Sequence, residues 1–248
     1  MSIFDVEYNS YDDSIIIKRW LDENCNIYGD SYPEPIEIIN NIVNVKGTVS
    51  IKNKMIEYIP IQFGIVSGGF NCSGCIHLKS LKGCPKQSKW FDCYWCSSLT
   101  NLDGGPQIVS EQYDCSECMK LKSLKGGPIR CGKFVCSHCP LLIDMNLSTS
   151  SIGDFDCSSC ISLKSLNGLP DIINGDLKCC NCRSLEDMVG FPKRINGDMN
   201  CSICDKLSSI NGIPTIITGD VLLSRCRSLI VSEPEIRNKS IIKGEVYI

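Results

Sequence analysis

The sequence predicts a leucine-rich-repeat-like solenoid, mainly parallel β-sheet with irregular or 3₁₀ returns, and three observations carry that expectation. A Cys-x-x-Cys pair recurs seven times, as Cys72/Cys75, Cys93/Cys96, Cys115/Cys118, Cys136/Cys139, Cys157/Cys160, Cys179/Cys182 and Cys201/Cys204, at intervals of 21 or 22 residues. Leucine stands three residues beyond each pair, from Leu78 to Leu207, and again at Leu229 after the degenerate copy Leu223/Cys226. Most copies then turn with Gly-x-Pro. A fixed period of this length marks stacked units, none of which can close a core alone.

In chain order, residues 1–41 are expected to form a helical cap. In "DDSIIIKRWLDEN", acidic groups open a stretch with Ile15, Ile16, Trp20 and Leu21 at near-helical spacing, suited to covering the core of a first coil. Residues 42–230 hold the repeats, about nine coils including the degenerate copies "GTVSIKNKMIEYIP" and Leu223/Cys226. Segments such as "GDFDC" and "GDMNC" alternate apolar and polar side chains with period two. That predicts one short strand per coil, with Phe155 and Cys157 inward and Asp154, Asp156 and Ser158 outward. Asn-Gly and Thr-Gly steps upstream supply the positive φ of a tight turn, and Gly-x-Pro bends the returning limb and stops helix propagation. Residues 231–248 form a C-terminal capping strand, because Val246 and Ile248 alternate with Glu245 and Tyr247. Its open edge offers a route to a homo-oligomer or larger assembly.

Within the repeats, Phe155 and Cys157 hold strand positions, Cys160 the corner and Leu163 the position beyond it, an arrangement that resembles the leucine-rich repeat. With "KRWLDEN", "IPIQFGIVSGGFNCS" and "LKSLKGCP", the chain is similar over roughly residues 15–230 to leucine-rich-repeat-like proteins of tailed bacteriophages and other viruses. The resemblance implies a right-handed solenoid acting as a host-directed factor in the host cytoplasm or as a component of a virus particle.

Composition narrows the function. At 248 residues and 43% apolar the chain can bury a substantial core, and a net charge of −3 gives no general attraction to nucleic acid or anionic membrane. The opening "MSIFDVEYNSYDDS" is acidic, without the basic, apolar and small-residue succession of a signal peptide, and no apolar run is long enough to cross a bilayer. In a reducing compartment, 19 cysteines behave as small apolar groups that prefer burial.

Three chemistries compete for the pairs. Cys75 and Cys93 are spaced as in a zinc ribbon, so a thiol-rich zinc or iron–sulfur protein is one reading, with four sulfurs presented by adjacent coils. Disulfides are another. A sulfur-built core is favoured, because Ile51 and Leu223 replace the first cysteine in the end copies and leucine cannot replace a thiolate ligand. That reading requires no metal and no cofactor, with corner thiols donating weakly to the backbone. Cys180 falls outside the inward frame and should face outward as an exposed thiol, with an inert role favoured over a reactive one.

Function is sought at the outward positions, since inward ones are set by packing. "KWFDCYWCSS" places Trp90, Asp92 and Tyr94 outward with Trp95 at the corner, and Gln112 and Asp114 lie on the next coil, a mixture of aromatic and polar groups typical of protein interfaces. A later acidic column, Asp154, Asp176, Asp198 and Asp220, with Asp156 beside it, suits a cationic partner; each member of the column follows glycine, so a turn-forming role is equally open. No nucleophile–base or phosphate-loop pattern is present, so a non-enzymatic module binding an unidentified protein partner is expected, without nucleic acid or membrane.

Overall fold

In "KRINGDMNC" the buried side chains are Ile195, Met199 and Cys201, separated by a bend around Asn196 and Gly197. Each later coil therefore carries two short strands, here Arg194–Ile195 and Met199–Asn200, where the sequence suggested one. The computed structural model describes residues 10–29 and 35–248. It is a mainly β solenoid of about ten turns in which these strands stack as two parallel ladders. In the middle coils the two strands merge into one, as in Ile108–Asp114, Arg130–Val135 and Ser151–Asp156. A lone buried isoleucine is too short a signal to show alternation, which hides the first ladder in the sequence. The returning limbs are turns and bends, with no 3₁₀ segment among the described residues.

The core runs the length of the stack. Phe70, Phe91, Tyr113, Phe134 and Phe155 form a spine with successive ring centroids 4.8–5.9 Å apart. Beside it lie fully buried leucines such as Leu99, Leu121 and Leu163, each contributing about 1.5–3 kcal/mol by leaving water. All cysteines are free thiols and all but Cys180 are buried. From Cys96 to Cys226, every second-position thiol donates to the carbonyl of the first cysteine of the preceding coil, as Cys96 Sγ does to Cys72 O at 3.1 Å and Cys160 Sγ to Cys136 O at 3.2 Å. Burial, reinforced by neighbouring thiols, holds Cys93, Cys115 and Cys136 well above the usual thiol range, and Cys75 is pushed up to about 12. Neutral thiols keep the proton that such a ladder needs.

Glycine before each acidic-column aspartate has a different role from the one expected. Gly175 and Gly197 do not have positive φ, which instead belongs to Gly-x-Pro glycines such as Gly190 and Gly212. A Cβ on Gly175 would overlap Asp154 Oδ1, and one on Gly197 would overlap Asp176 Oδ1. Close approach of the preceding coil, not turn handedness, excludes a side chain there.

At the N-terminal end, α1 (Ser10–Asn24) leads into β1 (Cys25–Gly29). β1 pairs antiparallel with β4 (Gly47–Ile51), while β2 (Ile36–Ile39) pairs antiparallel with β3 (Ile42–Val45), so an antiparallel strand borders the first rung of each ladder. α1 buries Ile17 and Leu21, whereas Ile15 and Ile16 are 49% and 58% exposed, which corrects their expected inward placement. The i, i+4 pair Ile17–Leu21 forms the buried stripe and Trp20 lies partly buried at its margin.

The C-terminal segment adds a helix, α2 (Glu233–Lys239), before strands Ile241–Ile242 and Val246–Tyr247 make the last rungs. Its start was legible: Ser232 precedes Pro234 and Glu235, whose carboxylate accepts from the Ser232 N–H and hydroxyl, both at 2.7 Å. Arg237 donates to Ile242 O at 3.1 Å and Gly244 O at 3.0 Å. One coil earlier, the matching acceptors Ile217 O and Gly219 O take the N–H groups of Lys243 and Gly244. The guanidinium thus occupies the place of a following coil's backbone.

Candidate functional site

Two columns run along the face of the second ladder opposite the aromatic spine. Three residues before each first cysteine stand Gly69, Trp90, Gln112, Lys133, Asp154, Asp176, Asp198 and Asp220; one residue before it stand Asn71, Asp92, Asp114, Val135, Asp156, Lys178, Asn200 and Leu222. Pairing sets Trp90 beside Gly69 and Asp92 beside both Asn71 and Asp114. Trp90 is half-buried because its indole lies over Gly69, whose Cβ would overlap the ring.

Trp90, Asp92, Gln112 and Asp114 come together around one open depression of about 290 Å³, completed by Phe91 and Glu111. Asp92 Oδ1 accepts the Tyr94 N–H at 2.8 Å, Asp114 Oδ1 accepts the Ser116 N–H at 2.9 Å, and Gln112 Nε2 donates to Asp114 Oδ2 at 3.3 Å. Burial, with the adjacent Asp114 charge, raises Asp92 above the ordinary carboxylate range, although the Tyr94 N–H and the Lys54 charge oppose the shift. Tyr94 and Trp95 are 38% and 50% exposed but are not among the residues that line the depression. The Glu117 carboxylate, bonded to the Tyr94 hydroxyl, pushes that phenol upward.

Glu111 was not foreseen. The run Ile108–Asp114 holds one more residue than its neighbour between the pairings Val109–Cys131 and Gln112–Lys133, a bulge that turns Glu111 outward to within 3.1 Å of Lys89 Nζ. The 22-residue interval from Cys93 to Cys115 was its only trace in the sequence.

Every third residue of the regular Cys-x-x-Cys turns, from Gly74 through Trp95 to Arg225, has positive φ. Glycine or asparagine suits that conformation; Trp95 at φ 57° accepts strain of about 1 kcal/mol or more while half its surface remains in water. An exposed indole held at such a cost gains nothing from core packing.

The acidic column lies on the same face, beyond the depression. Asp154 Oδ1 accepts the Asp176 N–H at 3.0 Å, Asp176 that of Asp198 at 2.9 Å, Asp198 that of Asp220 at 2.8 Å, and Asp220 that of Glu245 at 2.9 Å. These carboxylates clip each coil to the next, so a structural role accounts for their regularity. Asp156 Oδ1 likewise accepts the Ser158 N–H at 2.9 Å. Cys180, expected to be exposed, is half-buried and donates to Ser158 Oγ at 3.1 Å, because its turn position belongs to a column otherwise rich in serine.

Among the described residues, no group of three or more His, Cys, Asp or Glu side chains is placed to hold a metal ion, and no helix is long and apolar enough to cross a membrane. Comparison with known proteins finds no matching family model, no matching curated protein and no matching solved structure.

Proposed function

We propose that this chain is a non-enzymatic, leucine-rich-repeat-like interaction module of viral origin that binds another protein through the outer face of its second ladder. On this reading α1 is a helical cap over the first coil, the rest of the expected cap in residues 1–9 and 30–34 lying outside the described residues, residues 42–230 present the binding face, and residues 231–248 close the stack. The module works in the host cytoplasm as a host-directed factor or inside a virus particle, without nucleic acid or membrane as a partner. Self-association would use the part of the last rung that Arg237 leaves open, around Val246.

One observation supports the binding face above all: Trp90, Asp92, Gln112 and Asp114, chosen as outward residues, line a single depression, and exposed Tyr94 and Trp95 follow Asp92 in the same coil. Half-exposed aromatics around desolvated polar groups have the composition of a binding hot spot. The test is affinity capture from infected or host cells, followed by titration of the purified partner against wild type and the Trp90→Ala/Tyr94→Ala double variant. The expected loss is at least tenfold in affinity; equal affinity places binding elsewhere.

A further inference from the structure

From the charge left in the depression, we infer that its occupant is an arginine side chain of the partner, its guanidinium stacked on the Trp90 indole and donating to the Asp92 and Asp114 carboxylates. The inference rests on the protein-binding reading above and names the chemistry that the site recognises.

The fold requires little at these two positions. Their column needs at most one acceptor to hold the following turn. Asn71 supplies it to the Ser73 N–H at 2.8 Å and Asn200 to the Ser202 N–H at 3.0 Å, in the same geometry as Asp92 and Asp114. Val135, Lys178 and Leu222 occupy the column without such a bond. A carboxylate also serves at Asp156, which accepts the Ser158 N–H at 2.9 Å, but an amide or no acceptor serves at the other positions, so folding does not require a negative charge in this column. Yet two carboxylates stand on adjacent rungs at 92 and 114, where like charges repel, and neither is in a salt bridge among the described residues. Burial and this repulsion raise Asp92, so the pair is held in a state that an added cation would relieve.

The geometry also selects the cation. A divalent ion needs about six or more oxygen ligands, and here both Oδ1 atoms already accept backbone N–H groups while Asp114 Oδ2 accepts from Gln112. An ammonium would meet the charge requirement as a compact point but would leave the flat indole unused. A guanidinium is planar, stacks on an aromatic face, and offers several N–H donors in one plane to carboxylates. Glu111 also lines the depression, but its pairing with Lys89 at 3.1 Å offsets its charge, so Asp92 and Asp114 carry the negative charge left without a salt bridge.

The experiment uses the full chain and short blocked peptides carrying one central arginine, citrulline or lysine in a glycine–serine context. Binding is followed by the NMR shift of the Trp90 indole N–H. The arginine peptide should shift that signal with an affinity at least tenfold above citrulline, which keeps the shape and lacks the charge, and several-fold above lysine. Asp92→Asn with Asp114→Asn should abolish that preference while retaining the native spectrum, since asparagine serves this column elsewhere. Equal binding of citrulline, an unchanged preference in the double variant, or no shift at Trp90 would overturn the inference. The captured partner separates the two levels: loss of its binding in Trp90→Ala/Tyr94→Ala but not in the double asparagine variant keeps the binding face and removes arginine, whereas no loss in either removes both.

Discussion

At the residue scale, one column can serve folding and recognition at once. Asp92 and Asn71 make the same turn bond on neighbouring rungs, and only the charge distinguishes them. Because the folded protein raises the pKa of Asp92, folding favours its protonated form. The associated penalty is absent below the unfolded value, about pH 4, and grows as pH rises through the folded value. Asp92→Asn is therefore expected to be more stable than wild type at pH 7, with the difference vanishing near pH 3.5–4, measured by urea denaturation across that range. A variant less stable than wild type at pH 7 would mean that the carboxylate helps to hold the fold. Sequence made the outward direction of Asp92, Trp90 and Asp114 legible through period-two alternation. It could not show the αL conformation of Trp95, because that turn position accepts Glu117, His138, Ile203 and Arg225 alike.

At the element scale, the strands are short and the hydrogen-bonding ladders between coils join them. The thiol ladder, the carboxylate clips and the two backbone ladders all run along the stack, so each coil is specified by its neighbours. The repeat interval disclosed the second ladder and the corner thiols. It concealed the first ladder, whose two-residue strands Ile172–Ile173, Arg194–Ile195 and Ile216–Ile217 bury a single isoleucine each, and the Gly-Asp glycines looked like turn formers when they are points of close approach. α2 was missed despite its Ser232–Glu235 box because the final segment was read from its terminal alternation alone. That helix matters at the last rung: Arg237 satisfies Ile242 O and Gly244 O, the acceptors that a further coil or another chain's edge would use. Arg237→Ala should therefore raise the weight-average mass with concentration in sedimentation experiments, relative to wild type. Arg237→Lys should fall between them, since an ammonium does not reproduce the two-pronged geometry. Equal masses for all three would show that the edge is closed by something else.

At the scale of the molecule, inward columns set the fold and outward columns carry the proposed recognition. The cysteines are the hardest case for that division, because the same spacing fits metal, redox and packing chemistry; burial and the bond from each corner thiol, from Cys96 to Cys226, to a carbonyl assign them to packing. Two thiols stand apart. Cys180 is half-buried at the surface, and Cys226, near the open end, is lowered chiefly by its interaction with the Cys204 thiol. The most direct measurement is intact-mass spectrometry of the protein purified without added metal, before and after brief alkylation under native conditions. The account predicts the mass of a fully reduced, metal-free chain that gains adducts at Cys180 and Cys226 alone, with the other thiols reacting only on unfolding. A reproducible metal stoichiometry, the loss of two hydrogens per Cys-x-x-Cys pair, or rapid labelling throughout the repeats would contradict it.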